Sequence, residues 1–400
     1  MLTPATAFEP SRSGALARLR QFVPLAGRRY ATERNIDFGS EDPGAVSRLS
    51  PYLRYRLLTE SEVVGAVLKQ HSFVAAEKFV QEVLWRTYWK GWLEMRPSVW
   101  TRFVQERERE RNDLSDTRAL LAAEAGTTGI EGFDDWAHEL VETGYLHNHA
   151  RMWFASIWIF TLRLPWQLGA DFFLRHLVDA DAASNTLSWR WVAGLQTVGK
   201  TYLATTDNIA RYTNGRFAPV GLAKEATPLT EPPISPAQVL PDRPRPQVGK
   251  GSILLVTTED MHPETLPLEG IVIKASIVAA DGDLLWGDKA RMFAGSFTAD
   301  ATSRVGTHFG CPTGVAKTLD CDTLLAAAQL ADVKQIVTAY APVGPVAEAL
   351  SELSGTLASH GVALTQIRRP WDECFWPHAK KGFFPFRERI ETLLREQGLQ

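Results

Sequence analysis

Two polar side chains within an otherwise apolar helical pattern are the first sign of chemistry in this chain. Between Gly144 and Phe160 apolar residues cover nearly every side of a helix, so a buried helix is expected there. Asn148, Arg151, Met152 and Ala155 recur at steps of three and four and share one face. That places an amide and a guanidinium in the interior, where each must find a partner. The stretch Asp179-Ala-Asp181-Ala-Ala-Ser-Asn185, followed by Ser188-Trp189-Arg-Trp191, supplies two carboxylates and an amide, and Arg151 with one of the aspartates would form a compensated buried pair. By itself an Asp-x-Asp also suits a divalent-metal ligand pair or a helix-capping turn. In a third cluster Glu82 and Arg86 share a helix face with Phe79 and Trp89; core packing accounts for the aromatics but not for the charges.

These clusters need elements to position them, and 400 residues at 45% hydrophobic content can bury ample core and favour more than one domain. Prolines 228, 232, 233, 236, 241, 244 and 246 crowd one stretch and exclude both helix interior and central strand, which predicts an extended connector over 224–251. Before it tryptophans are dense and apolar residues recur at helical steps, as in Trp85, Tyr88, Trp89 and Trp92, so 1–223 reads as a helical bundle. After it short β-rich runs at Ile253–Thr257, Ile271–Ile273, Gln335–Thr338 and Val362–Gln366, with a helical stretch Pro345–Leu357, predict that 252–400 is a smaller α/β domain with a mostly parallel sheet.

Bulk features exclude several classes. No apolar run approaches the roughly 18 residues that span a bilayer, and the amino-terminal residues lack a signal-type apolar core, so a cytoplasmic protein without membrane partners is expected. Cys311, Cys321 and Cys374 are too few for a disulfide framework or a four-cysteine cluster, and no metal is expected. The first 220 residues carry nearly equal numbers of cations and anions, so no global basic field steers the chain to nucleic acid. Arg12, Arg18, Arg20, Arg28, Arg29, Arg34, Arg48, Arg54 and Arg56 cluster early and form either a phosphate-facing stripe or ordinary solvated surface; the Glu/Arg alternation from Gln105 to Arg111 reads as an exposed helix face. Gly194-Leu-Gln-Thr-Val-Gly199-Lys200-Thr201 satisfies the phosphate-loop pattern, yet it follows a helical segment and not a buried strand, which argues against an NTPase.

The three polar clusters, with Tyr30 and Ser47-Arg-Leu-Ser-Pro-Tyr-Leu53, stand in the order and approximate spacing of the flavin domain of DNA photolyases and cryptochromes, and the chain resembles that family from about Tyr30 to Phe217. The resemblance implies an all-helical FAD-binding domain. It puts Tyr30, Ser47, Leu49, Ser50, Phe79 and Arg86 among the residues that hold FAD, chiefly its phosphates and ribityl chain. It sets Asn148, Arg151, Asp179, Asp181 and Asn185 around the ring: an Arg151–Asp179 ion pair beside it, Asp181 accepting from N3–H, and Asn185 facing N5, where an amide favours the reduced states. Glu82, Trp85, Asn148, Met152 and Trp191 match the substrate pocket of cyclobutane-dimer photolyases, where the tryptophans would stack on flipped-out pyrimidines and the polar groups would bond their edges.

The implied function is light-driven repair of pyrimidine dimers in damaged DNA by electron transfer from reduced FAD. The alternative is a cryptochrome-like blue-light photoreceptor with a signalling partner, or a flavoprotein that repairs nothing. Several positions depart from the family pattern: Val46, Phe79, Ser188, and His149 where a DNA-contacting arginine is expected. Trp189 and Trp166 match the first two members of the photoreduction chain, but the surface member is missing, so electron supply either runs through Trp153 or Trp158 or fails. The order of parts is also reversed in this resemblance, since Ser252 to His262 and Trp371 to Ile390, with Lys381-Gly-Phe-Phe-Pro-Phe386, resemble the opening and closing of a photolyase antenna domain. A circular permutation with a degenerate antenna domain is therefore expected, with a second antenna chromophore left open.

Overall fold

The computed structural model describes residues 8–242 and 244–399. The first half is helical from Arg12–Phe22 to Thr206–Tyr212, and its longest member, Phe73–Glu94, runs through the centre. Local chemistry sets the helix starts. Ser72 accepts from the amide of Ala75 to open the long helix, a Thr59/Glu62 capping box opens Glu60–Leu68, and the Asp181 side chain accepts from Ser184 N to open Ala182–Val192. Gly169 marks a close approach: a Cβ there would lie 2.3 Å from the Trp189 ring, so only glycine lets that indole lie against the Trp166–His176 helix.

The second half holds a five-stranded, all-parallel sheet in the order β3-β2-β1-β4-β5, with β1 Gly251–Val256, β2 Val272–Ala279, β3 Thr313–Ala316, β4 Gln335–Ala339 and β5 Ala363–Ile367. The expected parallel sheet is thus present. The run at Ile271–Ile273 extends to Ala279, and Pro345–Ser359 is helical as expected. The four residues of β3 and the helix Asp288–Phe309 were not anticipated. The strand is short and half exposed, and the helix is rich in Ala, Gly, Ser and Thr, so neither carries a strong apolar period.

Alternation along the strands sends side chains to two different cores. Ile253, Leu255, Ile277 and Ile336 meet Leu324, Val346, Leu350 and Leu357 on one face. Leu254, Val256, Val278 and Val337 on the other join the core of the helical half. The Pro-rich stretch between the halves is irregular, as expected, and is tied along the surface by Leu229 N to Ala193 O (3.1 Å) and Gln238 N to Met95 O (2.9 Å).

The early arginines form no single solvated stripe, and Arg34 and Arg48 among them line a cavity between the helices. Arg20, Arg28 and Arg29 are exposed, but Arg48 is buried against the Ser40 carbonyl and the Tyr145 ring, and Arg12, Arg34, Arg54 and Arg56 are ion-paired because carboxylates from distant segments reach them. Arg56 bonds both oxygens of Asp372 at 2.7 Å and lies 3.5 Å from Glu60 and from Asp260, and Arg369 grips Asp260 through two nitrogens at 2.6 and 2.8 Å. Burial pushes the Asp372 carboxyl up against the pull of Arg56. The 105–111 face is likewise only partly exposed: Arg107 covers the Trp286 ring at 4.2 Å, Glu106 accepts from Gln167 and Arg111 from the same helix pairs with Asp171. No described helix is long and apolar enough to cross a membrane, and among the described residues no group of three His, Cys, Asp or Glu side chains is arranged to hold a metal ion.

The Arg56 cluster yields a stability prediction. Arg56→Ala strands buried carboxylates and is expected to cost about 3–5 kcal/mol, whereas Arg56→Met with Asp372→Leu removes both charges and costs clearly less. Urea unfolding followed by tryptophan fluorescence measures both, and equal losses would contradict the assignment.

Candidate functional site

A cavity of about 470 Å³ opens between the long central helix, the Asn148–Ser156 helix and the segment that leads into Ala182–Val192. The size suits a cofactor-sized organic molecule. The segments bearing Asn148 with Arg151 and Asp179 with Asn185 both line it.

Arg151 holds Asp179 bidentately, at 3.1 and 2.9 Å, and its third nitrogen donates to Leu146 O. Burial pushes Asp179 up, but the guanidinium outweighs it and keeps the carboxyl below its ordinary range. Asp181 follows the same balance: one oxygen accepts from Ser184 N at 2.7 Å and the other pairs with Arg86. The helix-capping reading of Asp-x-Asp and the ion-pairing reading therefore both hold. Arg86, which the resemblance assigned to phosphates, is on the cavity wall with its charge matched by Asp181. Asn185 donates its amide nitrogen to Ala170 O at 2.8 Å, a carbonyl that only a donor can satisfy, so the amide oxygen is what this side chain offers the cavity.

Glu82 is a further charged group of the lining. Arg34 pairs with it at 3.0 Å and Asn148 donates to it at 3.3 Å. Burial nevertheless lifts the Glu82 carboxyl above its ordinary value. Trp85 stacks on Phe383 from the sheet half, centroids 3.5 Å apart and planes 11° from parallel, while Trp191 lies against Tyr202 at 5.7 Å. Asn148 is exposed and not interior as expected, because the helix begins at that residue and its first turn forms the cavity mouth.

Tyr30, Ser47, Leu49, Ser50, Phe79 and Met152 also line the cavity. Phe79 is wedged against Phe22 and Tyr30, at 4.6 and 5.3 Å. Ser188 sits inside the Ala182–Val192 helix, so the substitution makes no local turn. Trp189 reaches the wall, edge-on to Phe173 at 5.1 Å and to Trp158 at 6.2 Å. Trp166 stands off the wall against Phe103 at 5.5 Å, and Trp153 stacks on Trp136 at 5.3 Å. Arg34, Tyr145 and Ser184 line the cavity without having been singled out for it; only the position of Arg34, four residues after Tyr30, hinted at this.

His149 packs against Trp153 and Tyr212 at 5.2 Å each and is pushed by burial to about 4, so it is neutral near pH 7. His149 Nδ1, Ser184 Oγ and Trp189 Nε1 are buried on this wall without a protein hydrogen-bond partner.

Residues 79–217 match the family described as the FAD binding domain of DNA photolyase. The chain is similar to the deoxyribodipyrimidine photo-lyase of Streptomyces griseus, 36% identical over 154 residues, or 38% of this chain and 33% of that protein. The corresponding proteins of Alkalihalophilus pseudofirmus and Thermus thermophilus are 31% and 33% identical over 184 and 187 residues. These matches take in 46% and 47% of this chain, and 38% and 43% of the two relatives. The matched stretch thus spans well under half of each photo-lyase.

His147 is held, like His149, at about 4 by burial. A histidine whose folded value is depressed binds fewer protons folded than unfolded between about 4 and its ordinary 6.5, so stability falls as pH drops through that window. His149→Gln removes one such group and is expected to gain on the parent by up to about 1 kcal/mol per pH unit between pH 6 and 5; urea midpoints at several pH values measure the difference, and a constant offset would rule it out.

Proposed function

Residues 79–217 belong to the photolyase/cryptochrome family of FAD-binding domains, and from that premise we propose that the chain binds FAD in the cavity and drives light-dependent repair of pyrimidine dimers in DNA. The observation that carries this reading is the cavity itself. The Arg151–Asp179 pair and Asn185 line it together with Glu82, Asn148, Met152, Trp85 and Trp191. When bound, FAD supplies the light-absorbing, one-electron chemistry.

The chain's own residues then have positioning roles. The bidentate Arg151–Asp179 pair is fixed before any ligand arrives and keeps a neutral, rigid wall beside the ring. The Asn185 oxygen accepts a proton-bearing nitrogen, which favours reduced flavin. Ser47, Ser50 and Tyr30 offer hydroxyls toward the phosphate and ribityl portion. Glu82 and the Asn148 amide present an acceptor and a donor to pyrimidine edges, and the Phe383 ring behind Trp85 braces that indole for stacking.

In this reading residues 1–223 form the FAD-binding domain, 224–251 a linker, and 252–400 a permuted, degenerate antenna domain. The change from helices to parallel sheet across the Pro-rich stretch supports the division. A second chromophore has less support. The crevice beyond the carboxyl ends of β1 and β4, where open α/β sheets take ligands, is packed with protein contacts: Arg54 on Glu259, Arg56 on Asp260, and Glu94 with Tyr340.

One observation favours a flavoprotein that does not repair. His149, neutral at pH 7, stands where a DNA-contacting cation was expected. The test is an absorption spectrum of the purified chain followed by illumination of the photoreduced protein with a dimer-bearing oligonucleotide. Repair is expected, with Glu82→Ala lowering it about ten-fold or more while flavin stays bound, and Asn185→Asp destabilising the reduced flavin. Full flavin content with no dimer splitting would decide for the non-repair reading.

A further inference from the structure

Glu259 lies just beyond β1, in the half of the chain that follows the Pro-rich stretch, and is 7% exposed. Its two oxygens face two cations of the helical half: Arg54 Nη2 at 2.8 Å and Lys90 Nζ at 3.8 Å. Both cations adjoin the cavity wall from behind. Arg54 Nε donates at 3.0 Å to the carbonyl of Ala180, the residue between Asp179 and Asp181. Lys90 stands one helical turn beyond Arg86, whose guanidinium pairs with Asp181.

We propose that Glu259 is a positioning residue of the flavin site: it matches Arg54 and Lys90 and so holds the Asp179–Asp181 turn and leaves Asp181 to Arg86. The inference rests on the FAD reading above. The charges directly behind the wall leave one cation in excess even with Glu259 ionised. Arg54, Arg86 and Lys90 are the cations and Glu259 and Asp181 the anions, with the Arg151–Asp179 pair in front and the Arg56–Asp260 pair beside them. Tyr55, under the Arg54 guanidinium at 5.1 Å, is pushed up by burial and stays neutral, and Asp281 next to Glu259 is likewise lifted by burial to about 7. Burial disfavours the charged form of Lys90, and Glu259 and then Asp181 oppose this.

Without the Glu259 charge, Lys90 still has Asp372 within electrostatic reach, but the anion that acts on both buried cations is Asp181. They would draw it from Arg86 and from its cap on Ala182–Val192, shifting the turn that carries Asp179 and the helix that carries Asn185. The site would also gain a net positive charge in a poorly screened interior, which favours the more negative, reduced flavin.

The experiment uses the full chain and FAD itself. Glu259→Gln keeps the size and removes the charge. It is expected to weaken FAD binding about ten-fold and to shift the flavin reduction equilibrium about ten-fold toward the reduced form, roughly 30 mV for a two-electron couple. Glu259→Asp is expected to recover most of both. Adding Lys90→Met to Glu259→Gln removes the matching cation and is expected to restore affinity; this pair also serves if the single variant folds poorly. Unchanged FAD affinity and potential in Glu259→Gln, with or without a lower melting temperature, would make Glu259 a purely structural bridge and overturn the proposal. So would failure of Lys90→Met to restore binding. A parent chain that takes up no FAD would defeat the cofactor reading first, an outcome separable from a parent that binds FAD and a variant that equals it.

Discussion

The burial of Arg54, Arg56 and Lys90 constrains everything around them, because a cation removed from water is tolerable only when carboxylates are brought to it. Here the carboxylates come from far along the chain: Glu259 and Asp260 after β1, and Asp372 after β5. The helical half cannot bury these cations at low cost without the sheet half, and the carboxyl ends of the strands cannot bury their acids without the helices. Close backbone contact follows. A Cβ at Gly91 would lie 2.9 Å from the Trp376 backbone, and Met261 N donates to Tyr55 O at 2.9 Å across the same seam.

That seam also explains why the cavity is rigid on its far side. The turn from Asp179 to Asp181 is fixed in front by Arg151 and behind by Arg54 through the Ala180 carbonyl. Trp189, seated over Gly169, and Trp85, backed by Phe383, are held by packing and not by the cavity's contents. A site held this way can present its polar atoms in fixed directions before a ligand binds, which is what tuning a redox cofactor requires.

At the mouth the electrostatics are balanced and not basic. Arg34 is matched by Glu82, and His149 is neutral in its aromatic surroundings. Attraction to a polyanion would therefore have to come from cations elsewhere on the surface or from groups that fill the cavity. In the proposed reading, this balance separates the flavin chemistry assigned to the cavity from a DNA chemistry that depends on what docks at its edge.

Much of this was legible in the amino-acid order. Helical periodicity brought Asn148, Arg151 and Met152 together on one helix, and the short distance from Asp179 to Asn185 kept those side chains within one turn and the start of the helix that follows it, since local spacing governs neighbours along the chain. The Pro-rich stretch and the β-rich runs after it announced a parallel sheet because proline and β-branched residues act through local backbone sterics. The Arg151–Asp179 pair was expected from the sequence, but tertiary structure alone decided which charges meet across the seam. Nothing near Arg54 or Arg56 in the chain foretells Glu259 or Asp372, so arginines that read as solvated surface became the buried seam. The same holds for Phe383 behind Trp85, 298 positions further along the chain. Such pairings arise when the fold closes, because desolvation and contact depend on distance in space and not along the sequence.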